Sequence, residues 1–124
     1  MRVSHLILKQ LADDLAQAVY RLTWKFMQSD PALAQRMRNA AITVGVLLAT
    51  QPPPTASRSS VRRAIFGAIV VLGELAYCLQ FARRAGLIGD PDLKRVFTLK
   101  EDLIQHLDVY LTEPSPTAPG SASH

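Results

Sequence analysis

The chain has little of what would name a chemistry. It carries one cysteine, Cys78, so no disulfide forms within it and no multi-cysteine metal site exists. Cys78 lies in an apolar run and reads as a small buried hydrophobe. A reactive thiol would want exposure and a basic neighbour. There is no Gly-rich phosphate loop, no H-E-x-x-H and no C-x-x-C. His5, His106 and His124 are far apart in sequence. Asp102 and His106, four apart, suit a surface ion pair; no nucleophile accompanies them to make a catalytic dyad. Asp13 and Asp14 are adjacent, and adjacent helical residues point about 100° apart, so they do not converge on a cation. We expect no enzyme, no cofactor and no metal.

Charge is missing where a helix would need it to face water. Ala64–Ala82 is a run of 19 residues with one charge, Glu74, and Ala40–Ala49 has none. Glycine and proline sit mainly at joints of a helical pattern, which argues against an all-β design.

What is present is a helical, apolar chain. It has 124 residues, 48% of them hydrophobic. That excludes wholesale disorder and suits one domain, burying roughly 65–70% of its unfolded surface. The opening MRVSHLILKQLADD holds a short apolar stretch followed at once by charge, unlike a signal peptide, so a cytoplasmic location is expected.

The pattern predicts an all-α, antiparallel up-down-up-down four-helix bundle over residues 1–112, with helices at about 4–28, 31–50, 58–85 and 91–112. Ser4 is a plausible N-cap for the first helix, whose Leu8, Leu11, Leu15, Ala18, Leu22 and Phe26 share a face. Asp30-Pro31 and Asp90-Pro91 are helix starts. Pro52-Pro53-Pro54 ends the second helix. Ser57–Ser60 supplies N-caps for the third, and Gly86 suits its left-handed C-terminal cap. In the fourth, Leu93, Val96, Phe97, Leu103, Ile104, Leu107, Tyr110 and Leu111 form a stripe that Lys100 interrupts. Residues 113–124, rich in Pro, Ser and Ala, read as a disordered tail.

A helix that is apolar all round must be buried all round, and a bundle of four covers only about half of each helix. The surplus on the middle helices therefore predicts a homo-oligomer. A membrane span is the lesser reading, since Glu74 and Gln80 interrupt the run. Glu74 should be a buried or interface ion pair, with Arg38 its first candidate partner.

The segments AVYRLTWKF, RMRNAAITV, and GEL followed by LQFARRAGLI carry a further sign. Over about Leu11–Leu111 the chain resembles the small four-helix-bundle proteins encoded in intervening sequences of bacterial 23S ribosomal RNA genes. Related bundles are accessory proteins of diversity-generating retroelements. Arg36–Val44 stands where the family reads Q-L-R-R-A-A-V-S-I. Glu74-Leu75 matches its glutamate-leucine pair, and Arg84, Gly86 and Leu87 fall where its third helix ends. The chain departs at Leu47–Gln51, where the family commonly has N-I-A-E-G. The resemblance implies a ring of subunits, commonly five, with a basic surface directed at nucleic acid or a nucleic-acid enzyme.

The net charge is +4. Arg58, Arg62 and Arg63 cluster at the start of the third helix, Arg36 and Arg38 lie in the second, and Arg83, Arg84, Lys94 and Arg95 flank the last joint. Arginines at a helix C-terminus satisfy its dipole, which accounts for Arg83 and Arg84; Arg58, Arg62 and Arg63 sit at the unfavourable end. These nine residues are the candidate nucleic-acid contacts. Few aromatics lie near them in sequence, which points to backbone charge of structured RNA or DNA rather than to base stacking. An acidic partner protein is the alternative.

Overall fold

The computed structural model describes residues 4–49 and 58–112. The predicted cap at Ser57, the Pro52–Pro54 stop and the tail at 113–124 lie outside them. Four helices make up the described chain: α1 (His5–Trp24), α2 (Pro31–Ala49), α3 (Arg58–Arg84) and α4 (Asp90–Thr112). They form a helical bundle. α1 packs on α2 and α4, α3 packs on α2 and α4, and the α3–α4 seam is the sparsest.

Local chemistry sets the helix ends. Ser4 caps α1, its hydroxyl accepting from the Ile7 N–H at 3.1 Å. α1 stops at Trp24, short of the expected 28. The buried Thr23 hydroxyl donates back to the Val19 carbonyl at 2.7 Å, as Thr43 and Thr98 do inside α2 and α4, so it does not by itself end the helix. The next N–H groups then reach only three residues back, Lys25 to Leu22 and Phe26 to Thr23. Asp30 caps α2 by accepting from the Leu33 N–H at 3.1 Å, with Pro31 in the first turn. Ser59 and Ser60 lie inside α3 and cannot cap it.

At the last joint Gly86 has φ 78°. It lets the Leu87 N–H turn back to the Ala82 carbonyl at 2.9 Å, closing α3 in a Schellman turn. α4 begins one residue earlier than expected. The Gly89 carbonyl accepts its first bond, from Leu93, and the Asp90 carboxylate turns to Arg83 instead of capping.

The core joins Leu8, Leu15, Val19 and Leu22 of α1 to Met37 and Val44 of α2, Leu72, Leu75 and Leu79 of α3, and Leu103 and Leu107 of α4. Two contacts give the relative direction of α2 and α3. Arg36 meets Glu74, and Leu47 lies against Gly67, so numbers rise on one helix as they fall on the other. Lys100 is buried, not merely an interruption: its ammonium escapes to Glu101 at 3.2 Å and lies 4.9 Å from the Phe97 ring centroid, as a snorkelling lysine does.

Candidate interaction surfaces

The apolar surplus ends on the outside of the molecule. Phe66, Val70, Tyr77 and Phe81 of α3 are exposed, Val70 at 72% and Tyr77 at 63%. Their spacings of four, seven and four place them on one ridge, which also carries the exposed Gly73. Ile42 and Val46 of α2 are exposed as well. α3 is long and apolar enough to cross a membrane by length and composition, but here it packs in a bundle, with a third of its most apolar window buried.

The nine candidate basic residues fall into two groups. Arg36, Arg38 and Arg83 have polar partners inside the fold. Arg36 pairs with Glu74 at 2.9 Å, and Arg83 pairs with Asp90. Arg38 donates from Nε to the Thr23 hydroxyl at 2.8 Å and from Nη2 to the Tyr20 carbonyl at 3.0 Å. The expected Glu74–Arg38 pair is therefore replaced by Glu74–Arg36, and Glu74 is exposed rather than buried. The reason is angular. Residues 36 and 38 stand about 200° apart on a helix, so one faces α3 and the other α1. The Asp90 carboxyl is held below its ordinary value by its hydrogen bond to Arg83.

The remaining group, Arg58, Arg62, Arg63, Arg84, Lys94 and Arg95, is exposed. Arg62 and Arg63 stand at one end of the α3 ridge and Arg84 at the other. Arg95 shares a shallow groove of about 570 Å³ between α1 and α4 with Asp14, Gln17, Arg21, Thr98 and Leu99. Arg21 thus joins the exposed cations. Sequence reading passed it over because it lies in α1, far from every basic cluster along the chain.

The aromatics are also closer than the sequence suggested. The Arg38 guanidinium lies 4.2 Å from the Tyr20 ring centroid and 5.8 Å from that of Trp24. Arg62 lies 5.8 Å from Phe66. The first contact joins AVYRLTWKF to RMRNAAITV across the α1–α2 seam, a proximity that only folding creates.

Among the described residues no three His, Cys, Asp or Glu side chains could hold a metal ion. His106 Nδ1 lies 2.8 Å from the Asp102 carbonyl and 3.4 Å from its carboxylate. The Cys78 thiol is pushed up by burial and by Glu74, with Arg36 opposing. No protein-family model, curated protein or solved structure matches the chain.

Proposed function

We propose that the protein is a non-catalytic, self-associating helical bundle that binds structured RNA or DNA through repeated basic clusters. The α3 ridge carries this reading. An uncovered apolar stripe runs between Arg62 and Arg63 at one end and Arg84 at the other. Covering the stripe with further copies removes the apolar surface from water and repeats the arginines once per copy. The resemblance noted above implies a ring of about five. Repetition turns weak phosphate contacts into useful affinity.

The contacts with phosphate fall to Arg62, Arg63, Arg84, Lys94 and Arg95, with Arg58 beside them. Arg36, Arg38 and Arg83 serve mainly the fold. A nucleic-acid enzyme acting on the same RNA is a natural second partner, and the proposed setting is the cytoplasm.

The test is a titration against labelled structured RNA and duplex DNA at several salt concentrations, alongside sedimentation. An assembly larger than a monomer, with a steep salt dependence that flattens in Arg62→Glu/Arg63→Glu, is expected. A monomer that binds neither nucleic acid at low salt refutes the proposal. Capture of an acidic protein that survives nuclease treatment would replace RNA with that partner.

A further inference from the structure

The α1–α2 seam carries a second feature that phosphate binding does not use. Trp24 is 74% exposed, and Tyr20 beside it is 39% exposed. Arg38 holds its guanidinium against both rings, at 4.2 Å and 5.8 Å. That guanidinium is not free to wander. Thr23 Oγ1 and the Tyr20 carbonyl fix it from below, and Thr23 is itself fully buried. The result is an ordered guanidinium lying over the Tyr20 ring and near the exposed Trp24 ring.

Gln35, Arg38, Asn39 and Ile42 share one face of α2, at spacings of three, four and seven. Gln35 donates to the Asn39 side-chain carbonyl at 2.9 Å. Both amides are exposed beside Arg38 along α2, and amides carry donors and acceptors that match base edges. Arg21 lies one turn before Trp24 on α1, and among the described residues it has no ion-pair partner.

We infer that Tyr20, Trp24 and Arg38 form a stacking platform for unpaired nucleobases of single-stranded RNA or DNA. The inference rests on the nucleic-acid reading above and adds a ligand class to it. Every base has a π-face, so aromatic rings and arginine planes bind single strands with little sequence preference. The exposed Gln35 and Asn39 on the Arg38 face of α2 favour a base over an apolar helix of a partner protein, which would bury their remaining polar groups without hydrogen bonds.

Trp24 is the chain's one tryptophan, so its fluorescence reports on the platform alone. The full-length protein is titrated with a 16-nucleotide oligo(U) and, separately, with a duplex RNA at the same salt. Saturable quenching by oligo(U) is expected. Trp24→Ala should weaken oligo(U) binding about tenfold and leave duplex binding unchanged, while Trp24→Phe recovers part of the loss. Trp24 is exposed, so neither variant threatens the fold.

Oligo(U) binding without quenching, and equal in Trp24→Ala, overturns the platform and leaves the phosphate reading standing. Duplex binding with no oligo(U) binding does the same. Binding of neither nucleic acid sinks both. A Trp24 emission that shifts with protein concentration alone, and then ignores oligo(U), assigns the rings to a contact between copies and overturns the platform.

Discussion

Replacing Thr23 with valine tests whether the Arg38 network is built as described. Thr23 is fully buried. Its hydroxyl donates to the Val19 carbonyl at 2.7 Å, with the Tyr20 carbonyl at 3.2 Å, and accepts from Arg38 Nε at 2.8 Å. Valine keeps the shape, and the Val19 carbonyl keeps its place in the helix ladder. What is lost is the acceptor for a partly buried guanidinium. Hydrogen bonds to charged groups contribute about 1.5–3 kcal/mol. Arg38 retains its bond to the Tyr20 carbonyl and some access to water, so Thr23→Val should cost about 1–2 kcal/mol. Arg38→Met loses the same bond and a cation–π contact of about 0.5–1 kcal/mol. In the double variant the shared bond is counted once, giving a coupling of about 1 kcal/mol or more. Urea unfolding followed by Trp24 fluorescence and circular dichroism, at one fixed protein concentration, measures all three. A Thr23→Val change within about 0.5 kcal/mol of zero, or no coupling to Arg38→Met, refutes the network. Coupling between Arg38→Met and Glu74→Gln would instead restore the pairing expected from sequence.

Gly86→Ala should cost about 1–2 kcal/mol, since φ is 78° and nothing lies within 4 Å of an added Cβ; an unchanged melting temperature would contradict this. Cys78 should resist iodoacetamide near neutral pH until urea unfolds the chain, because burial and Glu74 both raise the thiol pKa; rapid labelling of the native protein would disprove the burial. The Asp92 carboxyl is held below its ordinary value chiefly by its hydrogen bond to Lys25, so it adds stability above the ordinary carboxylate pKa of about 4. That contribution is lost as pH falls through the lowered value. The gap between wild type and Lys25→Met, under about 1 kcal/mol for so exposed a pair, should close in acid, and a gap that widens there would reverse the sign. Val70→Glu should shift sedimentation toward the monomer with little change in helicity, and an unchanged distribution would remove the α3 ridge from any contact between copies.

Most of the fold was legible because its signals are local. Asp30-Pro31, Gly86 and the α1 stripe each act within one or two turns, and each does in the structure what its chemistry predicts. The misses share a cause. α1 stops at Trp24, where the backbone bonds tighten to three residues back, which no periodicity encodes. Asp90 gives up capping because Arg83 lies across the joint. Arg36 and Arg38 looked equivalent beside each other in sequence, yet a rotation of about 200° gives one to α3 and the other to α1. Arginine–aromatic proximity failed for the same reason: Arg38 meets Tyr20 and Trp24 only when two helices pack.

The apolar surplus was visible in composition, but its direction was not. A run such as Ala64–Ala82 shows only that one bundle cannot cover it. The structure resolves the run into a core side, with Leu72, Leu75 and Leu79, and an outer ridge of Phe66, Val70, Tyr77 and Phe81. On the proposed reading, that ridge and the arginines at its ends belong to one device. Apolar contact would draw copies together, while like charges at the rims oppose their approach. Phosphate would relieve that repulsion by neutralising the rims. Linkage then requires reciprocity: whatever nucleic acid gains from assembly, assembly gains from nucleic acid. Val70→Glu should accordingly lower both self-association and the salt slope of RNA binding. Arg62→Glu should lower RNA binding while leaving assembly without RNA intact or stronger. A Val70→Glu protein that is monomeric yet binds RNA with the full slope would separate the two, and the arginines would then act one copy at a time.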